Sequence, residues 1–233
     1  MRELKEMLLA RGASLVGFAD LRELPAEIRN GLPSAVSIAV ALDPEIVSEV
    51  PNGPRQEYAD LYRRVNRFLD QLAEAAAEFL RARGYGAVPL APTGTRVDPE
   101  TLSTRLPVKT AATRAGLGWI GKMALLVTEE HGPAVRLATV LTDAELPAGE
   151  PINTSRCGEC RACVEVCPSQ ASTDTLWEAG MAREELFDAF ACRNATRERA
   201  ERFGISGPSC GLCVAVCPWT QRYLVTLQGN LCT

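Results

Sequence analysis

The sequence has no long apolar run, no excess of positive charge and a single histidine. No segment approaches the roughly 18 apolar residues of a membrane-spanning helix. The first residues lack both the apolar run and the small-residue cleavage site of a signal peptide. We therefore expect no membrane insertion, no export and a cytoplasmic location. The net charge of −4 gives no overall positive field to attract nucleic acid, so we do not expect a nucleic-acid partner.

Positive charge is concentrated in one short stretch, and there it alternates with negative charge. Glu198 and Glu201 lie among the basic residues, a pattern typical of a solvated helix with ion pairs along its surface. We interpret the stretch in that way. Its basic residues are Arg193, Arg197, Arg199 and Arg202.

Cysteine is the residue type that stands out, with nine in the chain. Clustered cysteines form disulfides, zinc sites or iron–sulfur sites, and the compartment and the spacing decide among these. Without a secretion signal we disfavour disulfides and expect a reducing, oxygen-poor (anaerobic) setting. Eight of the cysteines lie between Cys157 and Cys217, and Cys232 is left over near the end of the sequence.

The first 148 residues have the pattern of an α/β unit, in which a mixed sheet is covered by helices. Residues 143–156, rich in proline and without periodicity, are the best linker, so we predict domains at 1–148 and 149–233. Residues 44–56 are predicted to be a loop. Helices are predicted near 2–11, 56–83 and 107–115, and strands at 14–19, 35–42, 85–90, 123–128 and 134–142, the last two forming a hairpin.

The first cysteine group reproduces the bacterial ferredoxin motif C-x₂-C-x₂-C-x₃-C-P, from Cys157 to Pro168. Two-residue gaps let a tight loop direct three thiolates at one [4Fe–4S] cluster, while the fourth cysteine faces a neighbouring cluster. The second group supplies the same pattern with one ligand displaced upstream. The expected ligands are Cys157, Cys160, Cys163 and Cys217 for one cluster, and Cys167, Cys192, Cys210 and Cys213 for the other.

A pair of zinc sites is the alternative. Zinc sites usually take two close cysteine pairs separated by a dozen or more residues. Three cysteines at successive two-residue gaps match an iron–sulfur cluster better. Two adjacent clusters are most simply interpreted as a path for electrons.

A glycine-rich loop, RAGLGWIGKM at 114–123, formally matches two nucleotide-binding motifs. G-x-G-x-x-G should follow a strand and open a helix, whereas here a helix is predicted before it and a strand after it. The Walker A motif needs Ser or Thr after its lysine, and this chain has Met123. We reject both matches. Three glycines in six residues instead indicate a backbone that lies close against something flat or bulky.

Three segments together resemble epoxyqueuosine reductase and its relatives, the cobalamin-dependent iron–sulfur reductases that include reductive dehalogenases. They are RAGLGWIGK (114–122), VRLATVLTD (135–143) and the double cysteine motif ending in CPWT (217–220). The resemblance extends from about Tyr58 to Tyr223 and is weaker before residue 55.

The resemblance implies an α/β (α+β) fold, with a nitroreductase-like N-terminal domain that binds a corrinoid and a ferredoxin-like C-terminal domain with two [4Fe–4S] clusters. It implies that His131 is a solvated turn residue rather than a cobalt ligand. It also implies that six residues of the glycine loop lie against the corrinoid. These are Gly116, Leu117, Gly118, Trp119, Gly121 and Lys122.

Two departures from the family pattern bear on the reaction. The position of the family's catalytic aspartate, counted back from Ala115, is occupied by Leu102, and the helical repeats that hold tRNA in the family are not in the sequence. We therefore do not expect reduction of epoxyqueuosine in tRNA. The remaining candidates for a proton donor are Asp98, Tyr58, Asp60, Tyr62 and Lys109.

Two functions follow from these patterns. In the first, the protein is an oxidoreductase in which two clusters pass electrons to a cobalamin that reduces a small substrate. In the second, it is an electron-transfer protein or reductive activator that reduces a partner corrinoid or flavin protein. Flavin in the N-terminal domain is a further possibility by fold analogy. Either function implies a low-potential donor such as ferredoxin or flavodoxin, and the N-terminal fold is compatible with a homodimer.

Overall fold

The computed structural model describes residues 1–90, 97–207 and 210–229. It confirms the predicted α/β (α+β) class. The helices are α1 (Arg2–Ala10), α2 (Pro44–Ser48), α3 (Gln56–Arg81), α4 (Val108–Arg114), α5 (Ala162–Glu165), α6 (Ala189–Arg202), α7 (Leu212–Ala215) and α8 (Pro218–Gly229). The strands are β1 (Leu15–Asp20), β2 (Ser34–Ala41), β3 (Ala87–Leu90), β4 (Trp119–Ile120), β5 (Leu126–Val127) and β6 (Val135–Thr142).

The chain forms two compact units, and both are discontinuous in sequence. Unit 1 consists of Met1–Ala41, Val65–Gly118 and Arg136–Ile152, and unit 2 of Leu42–Arg64, Trp119–Val135 and Asn153–Thr233. The chain passes from unit 1 to unit 2 for the last time after Ile152, near the boundary predicted at residue 148. The two earlier segments of unit 2 interrupt the range that we predicted as the first domain, so the division at 148/149 stays a prediction.

Unit 1 is built on a four-stranded sheet with the order β1-β2-β6-β3. β1 pairs antiparallel with β2, and β3 pairs antiparallel with β6. Helix α4 packs on β1 and β2, and α1 packs on β1. A hydrophobic cluster that includes Leu21, Leu106 and Leu141 fills this unit, with Leu117 packed at its edge. The burial of six consecutive residues in β2 explains its unbroken apolar sequence.

The predicted apolar stripe of the long helix is confirmed in α3. Leu61, Val65, Leu69, Leu72 and Leu80 are all buried, as their three- and four-residue spacing requires. The helix ends two residues earlier than predicted, at Arg81. Its first two turns belong to unit 2 and the rest to unit 1.

Unit 2 differs from the prediction in two places. Strand β5 pairs with β4, from Trp119↔Val127 to Ile120↔Leu126, so the predicted hairpin of 123–128 with 134–142 is wrong. An isolated β-bridge between Thr128 and Gly132 lies in the turn that precedes β6. Strand β6 belongs to the four-stranded sheet. The predicted loop at 44–56 also contains the short helix α2. Helix α2 packs on α7 and α8, and α5 packs on α7.

Candidate metal centres

The cysteine motifs bring two short helices together in unit 2. Helix α5 carries Cys163, helix α7 carries Cys213, and the two helices are in contact. The thiol of Cys163 interacts electrostatically with those of Cys157, Cys160 and Cys217. Cys217 in turn interacts with Cys157 and Cys160. These four are the cysteines that the ferredoxin pattern assigns to one cluster.

The other four cysteines form a second group. The thiol of Cys192 interacts with those of Cys210 and Cys167, and Cys213 interacts with all three. Cys213 also interacts with Cys163. The two groups are therefore adjacent, and Cys213 lies where they meet. None of the eight cysteines forms a disulfide, while Cys232 lies outside the described residues.

Burial makes these thiols costly to ionise. It raises the pKa of Cys163 to about 11, and it also raises the pKa of Cys192, Cys213 and Cys217. Neighbouring thiols add to the increase. A buried thiolate needs a compensating positive charge, and a metal bound by thiolates provides it while displacing the protons. The partial burial of these thiols therefore suits metal coordination.

Cys167 is the exception, because hydrogen bonds outweigh its burial. Desolvation raises the pKa of this thiol, but the Ser169 hydroxyl and the backbone N–H groups of Ala171, Ser169 and Gln170 lower it further, so the net shift is downward. The Ser169 oxygen lies 3.4 Å from the sulfur. Backbone N–H groups of Trp219 and Thr220 similarly lower the pKa of Cys217 against the effect of burial. Hydrogen bonds to cluster sulfurs are one of the factors that set reduction potentials.

Two glycines beside the cysteines lie at positions with no room for a side chain. A Cβ on Gly121 would lie 3.0 Å from the Val127 side chain and 3.4 Å from the Cys157 sulfur. Gly211 has a φ of +72°, and a Cβ there would lie 2.6 Å from the ring of Tyr58. The predicted proton donor Tyr58 is thus a buried residue, 7% exposed, whose ring packs on the loop between Cys210 and Cys213.

Lys122 has a partner that the sequence did not indicate. Its side chain is buried, and its Nζ lies 2.9 Å from Oδ1 of Asp174. Asp174 also pairs with Arg161, which stands between Cys160 and Cys163 in sequence. Asp174 has a φ of +67°, and the backbone of Lys122 accepts a hydrogen bond of 2.8 Å from the Ser172 hydroxyl. No sequence motif identified Asp174 or Ser172, because their roles depend on contacts distant in sequence.

Trp119 is also enclosed by protein. It is completely buried and packs edge-to-face against Trp219, with the ring centroids 5.1 Å apart. The Arg156 guanidinium lies 5.4 Å from the Trp119 ring centroid, and that of Arg222 lies 4.6 Å from the centroid of Trp219. Trp219 immediately follows Cys217 and Pro218 in the second motif.

The predicted proton donors belong to both units. Tyr58, Asp60 and Tyr62 are on the first turns of α3 in unit 2, whereas Asp98 and Lys109 belong to unit 1. Asp60 is exposed, and hydrogen bonds from Arg63 and then Gln56 lower its pKa. Its carboxylate is therefore ionised at neutral pH and is a poor proton donor.

Asp98 closes a tight turn. Its Oδ1 accepts hydrogen bonds from the N–H groups of Glu100 and Thr101, at 2.8 and 3.1 Å. Its backbone carbonyl accepts one from Leu102, which has a φ of +52°. A bulky residue in this left-handed region is uncommon. The carboxylate is thus used in the turn, and Leu102 itself occupies the strained position.

Residues of the glycine loop contact other parts of the protein. The helix-before, strand-after order predicted for it is confirmed by α4 and β4. A Cβ on Gly116 would lie 2.7 Å from the Glu150 carbonyl oxygen, and Leu117 packs on the core of unit 1. Trp119 is buried, a Cβ on Gly121 would meet the Cys157 sulfur, and Lys122 pairs with Asp174. The contact of the six glycine-loop residues with a corrinoid stays a prediction.

His131 is less solvated than predicted. Its ring packs on Tyr223, with the centroids 4.9 Å apart, and burial lowers its pKa. The Tyr223 hydroxyl donates to the Leu42 carbonyl at 2.9 Å.

The sequence itself identifies the cysteine region. Residues 156–220 match the family model described as a 4Fe–4S double cluster binding domain. Within the described residues, no group of three or more His, Cys, Asp or Glu side chains has the arrangement of a site for one metal ion. By this match the chain carries a domain for two [4Fe–4S] clusters, and the assignment of the eight cysteines as their ligands stays a prediction.

Curated relatives belong to two enzyme types. The chain is 36% identical over 121 residues to epoxyqueuosine reductase from Synechococcus sp. (strain RCC307), an alignment that covers 52% of this chain and 37% of that protein. It is 28% identical over 238 residues to tetrachloroethene reductive dehalogenase from Desulfitobacterium hafniense, covering 94% of this chain and 39% of that protein. The chain thus spans less than half the length of these two relatives.

Solved structures of both types share the fold. One is a reductive dehalogenase whose structure was described as suggesting a mechanism for B12-dependent dehalogenation, with a TM-score of 0.69 and 19% identity, covering 97% of this chain and 33% of that chain. Another is epoxyqueuosine reductase with an epoxyqueuosine-modified tRNA stem loop, with a TM-score of 0.62 and 20% identity, covering 94% and 65%. Among the described residues, no helix is long and apolar enough to cross a membrane.

Proposed function

We propose that this chain is an iron–sulfur oxidoreductase, in which two [4Fe–4S] clusters deliver single electrons to a cobalamin that reduces a small substrate. The supporting observation is the arrangement of the eight cysteines as two adjoining groups that meet at Cys213. The similarity to a B12-dependent dehalogenase and to epoxyqueuosine reductases supports a corrinoid as the electron acceptor.

The protein's contribution to electron transfer is to hold the clusters close together and control their surroundings. Clusters of this type store and release one electron each, at potentials set by hydrogen bonds, charge and solvent exposure. Cys163 and Cys213 are partly buried where the two groups meet. The N–H groups directed at Cys167 and Cys217, and the Lys122–Asp174–Arg161 network beside the first motif, set the local charge.

A second function has its own support. Several residues of the glycine loop, among them Gly116 and Lys122, contact protein atoms, and Leu102 replaces the family's acid. These observations support the alternative that the corrinoid belongs to a partner protein that this chain reduces. The electron path through the two cysteine groups is the same in both cases. The two functions differ only in which protein holds the acceptor, and flavin remains an alternative acceptor by fold analogy alone.

Anaerobic reconstitution distinguishes the two functions. The protein is purified without oxygen, incubated with iron, sulfide and hydroxocobalamin, and passed through gel filtration before iron and cobalt are measured. We expect about eight irons per chain, from two four-iron clusters. About one cobalt retained per chain would support a corrinoid held by this protein.

The other outcomes have definite meanings. Full iron with no cobalt would overturn the first function and favour reduction of a partner. Fewer than about four irons would contradict the cluster assignment that both functions share. Substrate reduction by the cobalt-loaded protein, measured with a panel of organohalides and with epoxyqueuosine, would then identify the substrate class.

A further inference from the structure

The indole N–H of Trp119 is a buried hydrogen-bond donor without an acceptor. The side chain is completely buried, and within the described residues its Nε1 has no hydrogen-bond partner. Neither of the other two tryptophans, Trp177 and Trp219, has a nitrogen that is both buried and unpaired in this part of the chain. Because nearly all buried polar groups in proteins are hydrogen-bonded, this N–H needs an acceptor that the described protein atoms do not supply.

The strand that carries Trp119 directs its side chain towards a cysteine. Trp119 pairs with Val127 of β5, and the N–H of Gly121 extends the ladder by donating to the Leu125 carbonyl at 2.9 Å. Residues two apart on a strand point to the same face of the sheet. A Cβ on Gly121 would lie 3.4 Å from the Cys157 sulfur. The indole of Trp119 is therefore on the face of β4 that meets Cys157.

The Trp119 ring also contacts residues that adjoin two of the predicted cluster ligands. It packs on Trp219, with the ring centroids 5.1 Å apart, and the backbone N–H of Trp219 is hydrogen-bonded to the Cys217 thiol. The Arg156 guanidinium lies 5.4 Å from the Trp119 ring centroid, and Arg156 directly precedes Cys157. Cys157 and Cys217 interact electrostatically. The indole is thus adjacent to both segments that supply these two ligands.

We propose that the Trp119 indole N–H donates a hydrogen bond to a sulfur of the [4Fe–4S] cluster assigned to Cys157, Cys160, Cys163 and Cys217. We call this cluster the first cluster. The inference rests on the proposed function, because it requires that these cysteines hold a cluster. No cysteine sulfur of the described chain accepts the N–H, so the geometry favours an inorganic sulfide of the cluster as the acceptor.

Such a hydrogen bond would raise the reduction potential of the first cluster. An added electron makes the cluster more negative, so a donor to one of its sulfurs stabilises the reduced form more than the oxidised form. Hydrogen bonds to the sulfurs are among the factors that set the potential. The effect is strengthened by burial, because a hydrogen bond is electrostatically stronger in a medium of low dielectric constant. Loss of the N–H should therefore lower the potential of one cluster and leave the other unchanged.

Pulsed EPR tests for the hydrogen bond itself. The whole protein is labelled with ¹⁵N at the indole nitrogen of tryptophan, reconstituted anaerobically with iron and sulfide, and reduced with photoreduced deazariboflavin. Cobalamin is left out, so that a corrinoid cannot be the acceptor. We expect a ¹⁵N coupling to the reduced cluster that Trp119→Phe removes. The matched control is Trp177→Phe, the same change at another buried tryptophan of unit 2, and it should retain the coupling.

An EPR-monitored redox titration measures the consequence for electron transfer. At a fixed applied potential, we expect the ratio of reduced to oxidised first cluster to fall about tenfold in Trp119→Phe, equivalent to about 59 mV for a one-electron couple. In Trp177→Phe the ratio should change by less than about threefold. Because phenylalanine is smaller than tryptophan, a second replacement exchanges the Trp119 indole for benzothiophene, which keeps the ring shape but lacks the N–H. It should give the same shift.

The possible outcomes separate this proposal from the proposed function. A normal reduced-cluster signal without ¹⁵N coupling in the wild-type protein would overturn the hydrogen bond. A shift in Trp119→Phe that the benzothiophene replacement does not reproduce would show that packing rather than the N–H sets the potential, and would also overturn it. Fewer than about four irons and no reduced-cluster signal in the wild-type protein would instead contradict the proposed function.

Discussion

Gly211 shows how a single residue can depend on the packing around the metal site. It has a φ of +72°, and a Cβ added to it would lie 2.6 Å from the Tyr58 ring. We expect Gly211→Ala to cost about 1–2 kcal/mol through its left-handed backbone and about 1–3 kcal/mol more through the clash. Because the residue lies between Cys210 and Cys213, iron content should fall as well. Thermal unfolding and iron analysis of the reconstituted protein measure both effects.

Gly204 offers a matched control for that substitution. It has a φ of +65° with no atom within 4 Å of an added Cβ, so Gly204→Ala carries the backbone cost without the clash. If both variants lose equal stability and keep full iron, the contact with Tyr58 does not restrict the site. Tyr58→Leu in the Gly211→Ala background should recover part of the iron, because a smaller side chain relieves the clash.

His131 gives the molecule a pH dependence that can be followed directly. Burial lowers its pKa below the ordinary value of 6.5, and only the nearby Glu130 opposes this. The unfolded chain therefore binds the proton more tightly than the folded protein. The contribution of His131 to stability is complete above about pH 6.5 and decreases as the pH falls towards the lower folded value.

Because the chain has a single histidine, its imidazole NMR signal needs no assignment. We expect a folded pKa below that of the same signal in urea. A folded pKa equal to or above the unfolded one would contradict the burial of the ring against Tyr223. His131→Gln should also remove the corresponding slope of stability against pH.

Helix α6 shows what one capping residue contributes to an element that carries a cluster ligand. Asp188 caps it through the N–H groups of Phe190 and Ala191, and Cys192 follows within the first turn. We expect Asp188→Ala to cost about 1 kcal/mol and to accelerate iron loss to a chelator. Asp188→Asn keeps the cap but removes the negative charge, so it should retain iron nearly as well as wild type. Rapid iron loss in the Asn variant would show that the charge matters and the cap does not.

The sequence predicted elements well where the determining contacts are local. The stripe of α3 and the helix at 108–114 depend on spacing within a few turns, and both were found. Helix α2 was missed because Pro44, Pro51 and Pro54 suggested a loop. The signal for it was present, since Asp43 caps the helix with its carboxylate and Pro44 occupies the first turn, where proline is tolerated.

Pairing and tertiary contact were not predictable in the same way. Alternating apolar residues at 123–128 indicate a strand but not its partner, and β4 rather than β6 supplies it. The glycines of 116–121 correctly indicated close approach of the backbone. The atoms they approach, the Glu150 carbonyl and the Cys157 sulfur, are distant in sequence, so the sequence alone could not identify them.

On the scale of the whole molecule, the two cysteine motifs are predicted to cross, by analogy with the ferredoxin pattern. Each motif is predicted to give three ligands to one cluster and one ligand to the other. The electrostatic neighbours of Cys163 and Cys217 on one side, and of Cys192 and Cys213 on the other, are compatible with this arrangement. With crossed ligands, each cluster would link the two cysteine motifs. Loss of one cluster would therefore destabilise both motifs.

Paired substitutions test the crossing directly. Cys157→Ser with Cys217→Ser removes two ligands that lie far apart in sequence but are assigned to the same cluster. We expect this variant to keep about four irons of eight. Cys157→Ser with Cys167→Ser removes two cysteines of one motif, assigned to different clusters, and should lose nearly all iron. If the second pair keeps about four irons while the first loses nearly all, each motif holds its own cluster and the crossed assignment is wrong. Iron and sulfide analysis after anaerobic reconstitution, with circular dichroism to verify folding, measures the outcome.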